Sequence, residues 1–174
     1  MYKRLVVPLD GSDIAEKALV EAENMAGLTQ APIHLVRVIE FAGQVSDLVY
    51  GNMIDSSETI SLVADEVDAA RQYLEFVARR LLGRGFEISY EVRRGSVALE
   101  LVDASKPGDL YVMASHGRSG ISRWFMGSVA EEVVRRSSVS VLLVKPTPAF
   151  RDGSSNLREG VSETLRRPNA QVST

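Results

Sequence analysis

An apolar run, Leu110-Tyr-Val-Met-Ala114, leads into a glycine-bearing loop, and the loop leads into Val129-Ala-Glu-Glu-Val-Val-Arg-Arg136. The run reads as a buried strand and the later stretch as an amphipathic helix. A glycine loop therefore leaves a strand end and closes on a helix N-terminus. Backbone N–H groups there lack intrahelical partners, and the helix dipole favours anions. Gly117 and Gly127 have no Cβ, so backbone can approach a phosphate closely. The Ser128 hydroxyl is a further donor. The feature points to a nucleotide phosphate site.

The rest of the chain repeats the strand-then-helix pattern. Leu5-Val-Val-Pro-Leu9 is a first strand, broken by Asp10-Gly-Ser-Asp13, where Ser12 or Asp13 can cap a helix. Ile14, Ala18, Ala22, Met25 and Ala26 share one face of that helix, and Gly27 is expected to end it. Ile33 to Ile39 is a second strand, and residues 40–57 form a long connection. A strong helix follows from about 58 to 83, with Val63, Val67, Ala70, Leu74, Val77 and Leu81 in one stripe. Phe86 to Val92 is a third strand. Gly95-Ser96 opens a short helix carrying Ala98, Leu101 and Val102, Pro107-Gly108 turns into the fourth strand, and Val139 to Val144 is the fifth. The alternation implies βαβ units, a parallel sheet and a doubly wound α/β fold. Ligands of such sheets sit beyond the strands' carboxyl ends, where strand order reverses. Asp10 and the glycine loop meet there if strands one and four are neighbours.

Composition narrows the function. The 174 residues are 45% hydrophobic, enough for one cored domain. There is no cysteine, which excludes disulfides, thiolate metal sites and cysteine nucleophiles. The net charge of −3 argues against a general nucleic-acid binder. No apolar run approaches the roughly 20 residues of a membrane span. Leu5-Val-Val7 is stopped by Pro8 and Asp10, so it reads as a strand and not as a signal peptide, and a cytoplasmic location fits. From Thr147 to Thr174 apolar residues become sparse among serines, glycines and prolines. The expected division is a nucleotide-binding domain over 1–146 and a poorly ordered tail over 147–174.

With these pieces placed, the chain resembles the universal stress protein family. That family's motif, G-x2-G-x9-G-[ST], runs here as Ala114-x2-Gly117-x9-Gly127-Ser128 with the spacing intact. Leu5 to Ser12, Leu35 to Val38 and Val139 to Pro146 resemble its first, second and last strands. The resemblance implies an open, Rossmann-like parallel sheet of five strands in the order 3-2-1-4-5, with helices on both faces. It also implies a homodimer and, in many members, ATP binding. Carried over by position, Pro8, Leu9 and Asp10 line the adenosine side, and Val38 offers backbone to adenine. Ala114, His116 and Gly117 form the turn under the phosphates, and Gly127, Ser128 and Val129 hold them. The first motif glycine is Ala114 here. If that position needs a positive φ, alanine is strained; if it needs only a small side chain, alanine fits.

Several residues have a plainer reading beside the functional one. Ser128-Val-Ala-Glu131 has the form of a capping box. Asp10 either meets a ribose hydroxyl or bridges the first turn to the helix behind it. His116 either donates to a phosphate or supports the turn, and Arg118 and Arg123 either attract phosphates or are solvated. His34 is expected to be a surface or satisfied core residue. Trp124-Phe125-Met126 folds under the loop, acts as a lid, or joins a subunit contact. Catalysis has little support: there is no P-loop lysine, no dinucleotide fingerprint and no metal or triad cluster. Any ATP hydrolysis is expected to be slow, with Mg²⁺ brought by the nucleotide. The reading is thus an ATP-binding sensor or adaptor that acts on a protein partner and dimerises through Val139 to Val144. A nucleotide-free interaction module and an adenylate-processing enzyme are the alternatives.

Overall fold

Leu5, Val6 and Val7 are all fully buried, although their side chains alternate between faces. A strand of this kind needs cover on both sides, and it forms the centre of a parallel sheet. The structure is a computed structural model describing residues 1–40, 56–115 and 126–145, with the side chains of 56–62 left out. Its strands are β1 (Arg4–Pro8), β2 (Ile33–Ile39), β3 (Ile88–Arg94), β4 (Asp109–Ala114) and β5 (Ser140–Val144). They lie parallel in the order β3-β2-β1-β4-β5, as expected. Val6 sits opposite His34 on one side and Tyr111 on the other, which fixes the register at the centre.

Among the described residues four helices cover the sheet: α1 (Asp13–Thr29), α2 (Ser56–Leu82), α3 (Val97–Ala104) and α4 (Ser128–Arg136). On one face Ala18 and Ala22 of α1 and Leu74 and Leu81 of α2 join Leu5, Val7, Leu35 and Val112 in a single core. On the other, Leu101 of α3 and Val133 of α4 pack with Val6, Val36, Tyr111 and Met113. The Tyr111 hydroxyl donates to the Leu101 carbonyl, tying α3 to the sheet. Burial pushes this phenol up to about 12, so it remains a donor.

Two local expectations change. Gly27 does not end α1, which continues to Thr29 and stops at Gln30, a left-handed residue with φ 57°. A glycine inside a helix costs only about 1 kcal/mol. Burial of Ala26 and the bond from the Gln30 N–H to the Ala26 carbonyl (2.8 Å) outweigh that cost. His34 is buried, as a core residue would be, but only half satisfied. Its Nδ1 pairs with Ser89 Oγ at 2.8 Å. Its Nε2 is buried without a hydrogen bond, 3.3 Å from Glu91 Oε1 and outside bonding geometry.

Candidate functional site

The crevice begins where β1 and β4 part. Their pairing runs from Arg4 opposite Asp109 to Val6 opposite Tyr111 and stops. The N–H groups of Leu5 and Leu9 donate to β2-side carbonyls, those of Pro32 and Val36. By alternation, the backbone of residue 8 faces β4. Residue 8 is proline, which has no N–H to give, so the ladder ends there. The same alternation acts on β2. The Val36 carbonyl accepts from Leu9, on the β1 side, and the Ile39 carbonyl accepts from Gly95, on the β3 side. The N–H and C=O of Val38 therefore face the gap that β1 has left.

At the opposite wall the loop that follows β4 is closed at its base. Ser115 N–H donates to the Val144 carbonyl at 2.9 Å, and Gly127 N–H donates to the Ser115 carbonyl at 2.8 Å. α4 starts from there. Its N-cap is Gly127, in extended backbone with φ −61°, and no side chain caps it among the described residues. Ser128 is thus the first helical residue, and the expected capping box is not formed: its hydroxyl sits one position too late to act as N-cap. The first intrahelical bond runs from Glu131 N–H to the Gly127 carbonyl. The N–H groups of Ser128, Val129 and Ala130 precede it and have no intrahelical acceptor. Ala114 ends β4 opposite Val144 without a positive φ, so only its small size matters at this position.

Asp10 closes the turn after β1. Its Oδ1 accepts from Ser12 N–H at 2.9 Å and from Ser12 Oγ at 2.6 Å. Ser12 Oγ in turn accepts from Ala15 N–H, capping α1. The bridging role is therefore filled by one carboxylate oxygen. Oδ2 has no hydrogen bond among the described residues.

These pieces line one cavity of about 360 Å³. Pro8, Leu9, Asp10 and Val38 form one side, and Ala114, Gly127, Ser128 and Val129 the other. His116 and Gly117 lie outside the described residues, as do Arg118, Arg123, Trp124 and Phe125. Met126 is exposed and belongs to neither core. The sequence reading missed Ala15, Val36, Val97, Leu101, Met113 and Ala130, which complete the lining. Two signals were present: Val36 and Val38 share a strand face, and Val97 and Leu101 share a helix face. Among the described residues the cavity has an apolar slot, one carboxylate and an uncapped helix start. That combination can hold a flat apolar ring at one end and an anion at the other. Among the described residues no group of three or more His, Asp or Glu could hold a metal ion.

Known proteins share this architecture. The family model described as "Universal stress protein family" matches residues 1–145. Universal stress protein MJ0531 of Methanocaldococcus jannaschii is 33% identical over 147 residues, covering 83% of each chain. YxiE of Bacillus subtilis is 27% identical, over 83% of this chain and all of its own length. The solved structure of M. jannaschii MJ0577 superposes with a TM-score of 0.71 at 26% identity, over 86% of this chain and 99% of that one. From β1 to β5, this chain belongs to the universal stress protein family.

Proposed function

We propose that the crevice binds an adenine nucleotide, with ATP as the ligand, and that the protein is a stress-response sensor or adaptor whose nucleotide state tunes a protein partner. One observation carries the reading: an apolar slot, the Asp10 carboxylate and the N-terminus of α4 line a single cavity where strand order reverses. In this reading the outward backbone of Val38 pairs with adenine and Asp10 Oδ2 accepts from a ribose hydroxyl. The N–H groups from Ser128 to Ala130 hold phosphate, joined by the turn at Ala114, His116 and Gly117. Mg²⁺ arrives with the nucleotide. Among solved universal stress proteins of this fold, one is in complex with cAMP and one, from Archaeoglobus fulgidus, with dAMP. At 24% and 20% identity they speak for the fold. The nucleotide reading rests on the crevice of this chain.

The proposal extends to the assembly. β5 is a sheet edge whose Val141, Leu142, Leu143 and Val144 are only half-buried, a surface suited to a second copy of the chain. Residues 1–146 form the nucleotide-binding domain, with 147–174 as an appended tail, and the protein works in the cytoplasm, where ATP is abundant. Mass spectrometry of ligand released from purified protein, with calorimetric titration of ATP, tests the reading. An adenine nucleotide near one per chain, or saturable ATP binding, is expected. An empty site that takes no ATP would overturn it in favour of a nucleotide-free interaction module.

A further inference from the structure

Arg37 stands at the carboxyl end of β2, on the sheet face opposite the cavity, and no acidic group lies in ion-pair range of it among the described residues. Its guanidinium is held in two other ways. Its central carbon lies 5.3 Å from the centroid of the Tyr73 ring, within cation–π range. Its Nη1 packs against Gly11, where an added Cβ would sit only 3.1 Å away. Gly11 itself has φ +81° and joins Asp10 to Ser12. The seat under the guanidinium is fixed in turn. Tyr73 donates to Glu16 Oε1 at 3.0 Å, and Arg80 binds Glu16 Oε2 at 3.2 Å. Glu16 N–H returns to the Ser12 carbonyl at 3.1 Å. Gly11, Arg37, Tyr73, Glu16 and Ser12 thus make a closed frame around the turn that carries Asp10.

The geometry points to Arg37 as a positioning residue: pressed between the Tyr73 ring and Gly11, it holds the Asp10 turn so that the free carboxylate oxygen meets a sugar hydroxyl, making the site selective for nucleotides that keep such a hydroxyl. This rests on the nucleotide reading above. Arg37 does not line the cavity, whereas the first residues of α4 do, so its removal loosens ribose recognition and leaves phosphate binding in place. The same frame connects the turn to α2 through Tyr73 and Arg80.

The test compares ATP with 2′,3′-dideoxy-ATP, which lacks both ribose hydroxyls, by calorimetry on the full chain. Wild type is expected to prefer ATP, and Asp10→Ala to lose that preference. Arg37→Met keeps an apolar stem over Tyr73 and removes the planar cation. It should weaken ATP binding about tenfold and leave dideoxy-ATP binding unchanged. In the Asp10→Ala background it should have no further effect. Tyr73→Leu, which removes the seat from the other side, should act like Arg37→Met, so a misfolded single variant does not end the test. Equal loss for both nucleotides, an effect that adds to Asp10→Ala, or wild-type preference in folded Arg37→Met would overturn the inference. Wild-type protein that binds neither nucleotide would instead overturn the nucleotide reading itself.

Discussion

Arg4 and Asp109 face each other across the β1–β4 pair, with Nε to Oδ1 at 3.1 Å and Nη2 to Oδ2 at 2.6 Å. Their side chains are 17% and 2% exposed. The Arg4 guanidinium also donates to the Ala104 carbonyl at 3.0 Å, and Asp109 Oδ2 also accepts from Lys106 N–H at 2.8 Å. The strand pair that opens as a crevice at one end is locked by a two-pronged ion pair at the other.

Removing one partner of a buried pair strands the other charge. Asp109→Ala should destabilise the fold by about 3–5 kcal/mol, measured by urea denaturation. Arg4→Met combined with Asp109→Leu should recover much of that loss, because no charge is then left without its partner. A loss below about 1 kcal/mol for Asp109→Ala would show that the pair is effectively solvated.

Gly127→Val should leave a folded protein that no longer binds ATP. At φ −61° the backbone accepts a Cβ, and loss of a favourable N-cap residue costs only about 1 kcal/mol. The new side chain stands where, in the proposed function, phosphate approaches the first N–H groups of α4. Calorimetry reads the affinity and circular dichroism the fold. Unchanged affinity in a folded variant would remove the phosphate site from α4.

Stability should fall as the solution is acidified, through His34. Burial, the largest influence, lowers its pKa below the ordinary 6.5, and Arg4 lowers it further, while Glu91 and Asp109 push it up. As pH drops past 6.5, the unfolded chain takes a proton that the folded chain refuses. The stability present above 6.5 is therefore lost progressively down to the lower folded value. Denaturation midpoints from pH 7.5 to 5 should show this slope in wild type and a weaker one in His34→Gln. Equal slopes would assign the effect to the carboxylates.

Val141→Pro should yield a folded monomer in sedimentation. The Val144 carbonyl accepts from Ser115, on the β4 side, so Val141, three residues back, turns its N–H to the free edge. Proline there removes an edge donor and leaves the β4–β5 ladder its own bonds. A folded variant that stays dimeric would move the interface off β5, and a monomeric wild type would end the dimer proposal.

Truncation after Pro146 should leave a core that melts near the wild-type temperature and still binds ATP. β5 ends at Val144, and the described residues before it supply apolar packing on both faces of the sheet. A large drop in Tm would mean that the tail docks on the domain.

Much of this fold was legible because its signals are local. The stripe from Val67 to Leu81 and the uninterrupted Leu5-Val-Val7 each declare their burial within a few residues. The strand order came from family resemblance, since no local signal states which parallel strands are neighbours. That Ala114, Gly127 and Ser128 line one cavity was legible in their spacing. Where Gly27 and Ser128 were misjudged, single-residue propensities were outweighed by bonds at Gln30 and Gly127, one to three residues away. The Gly11–Arg37–Tyr73 contact could not be read at all. It joins a turn, a strand and a helix, and neither periodicity nor a short motif reports a meeting between them.

Pro8 has a consequence that outlasts any ligand. An amide at this position could lend β4 one more rung whenever thermal motion brought the strands together, and the mouth of the crevice would tend to zip shut. The imino nitrogen makes that rung chemically impossible. A guest arriving at the mouth therefore has no strand pair to prise apart, and its contact energy is not spent on clearing a vacancy that covalent structure already maintains.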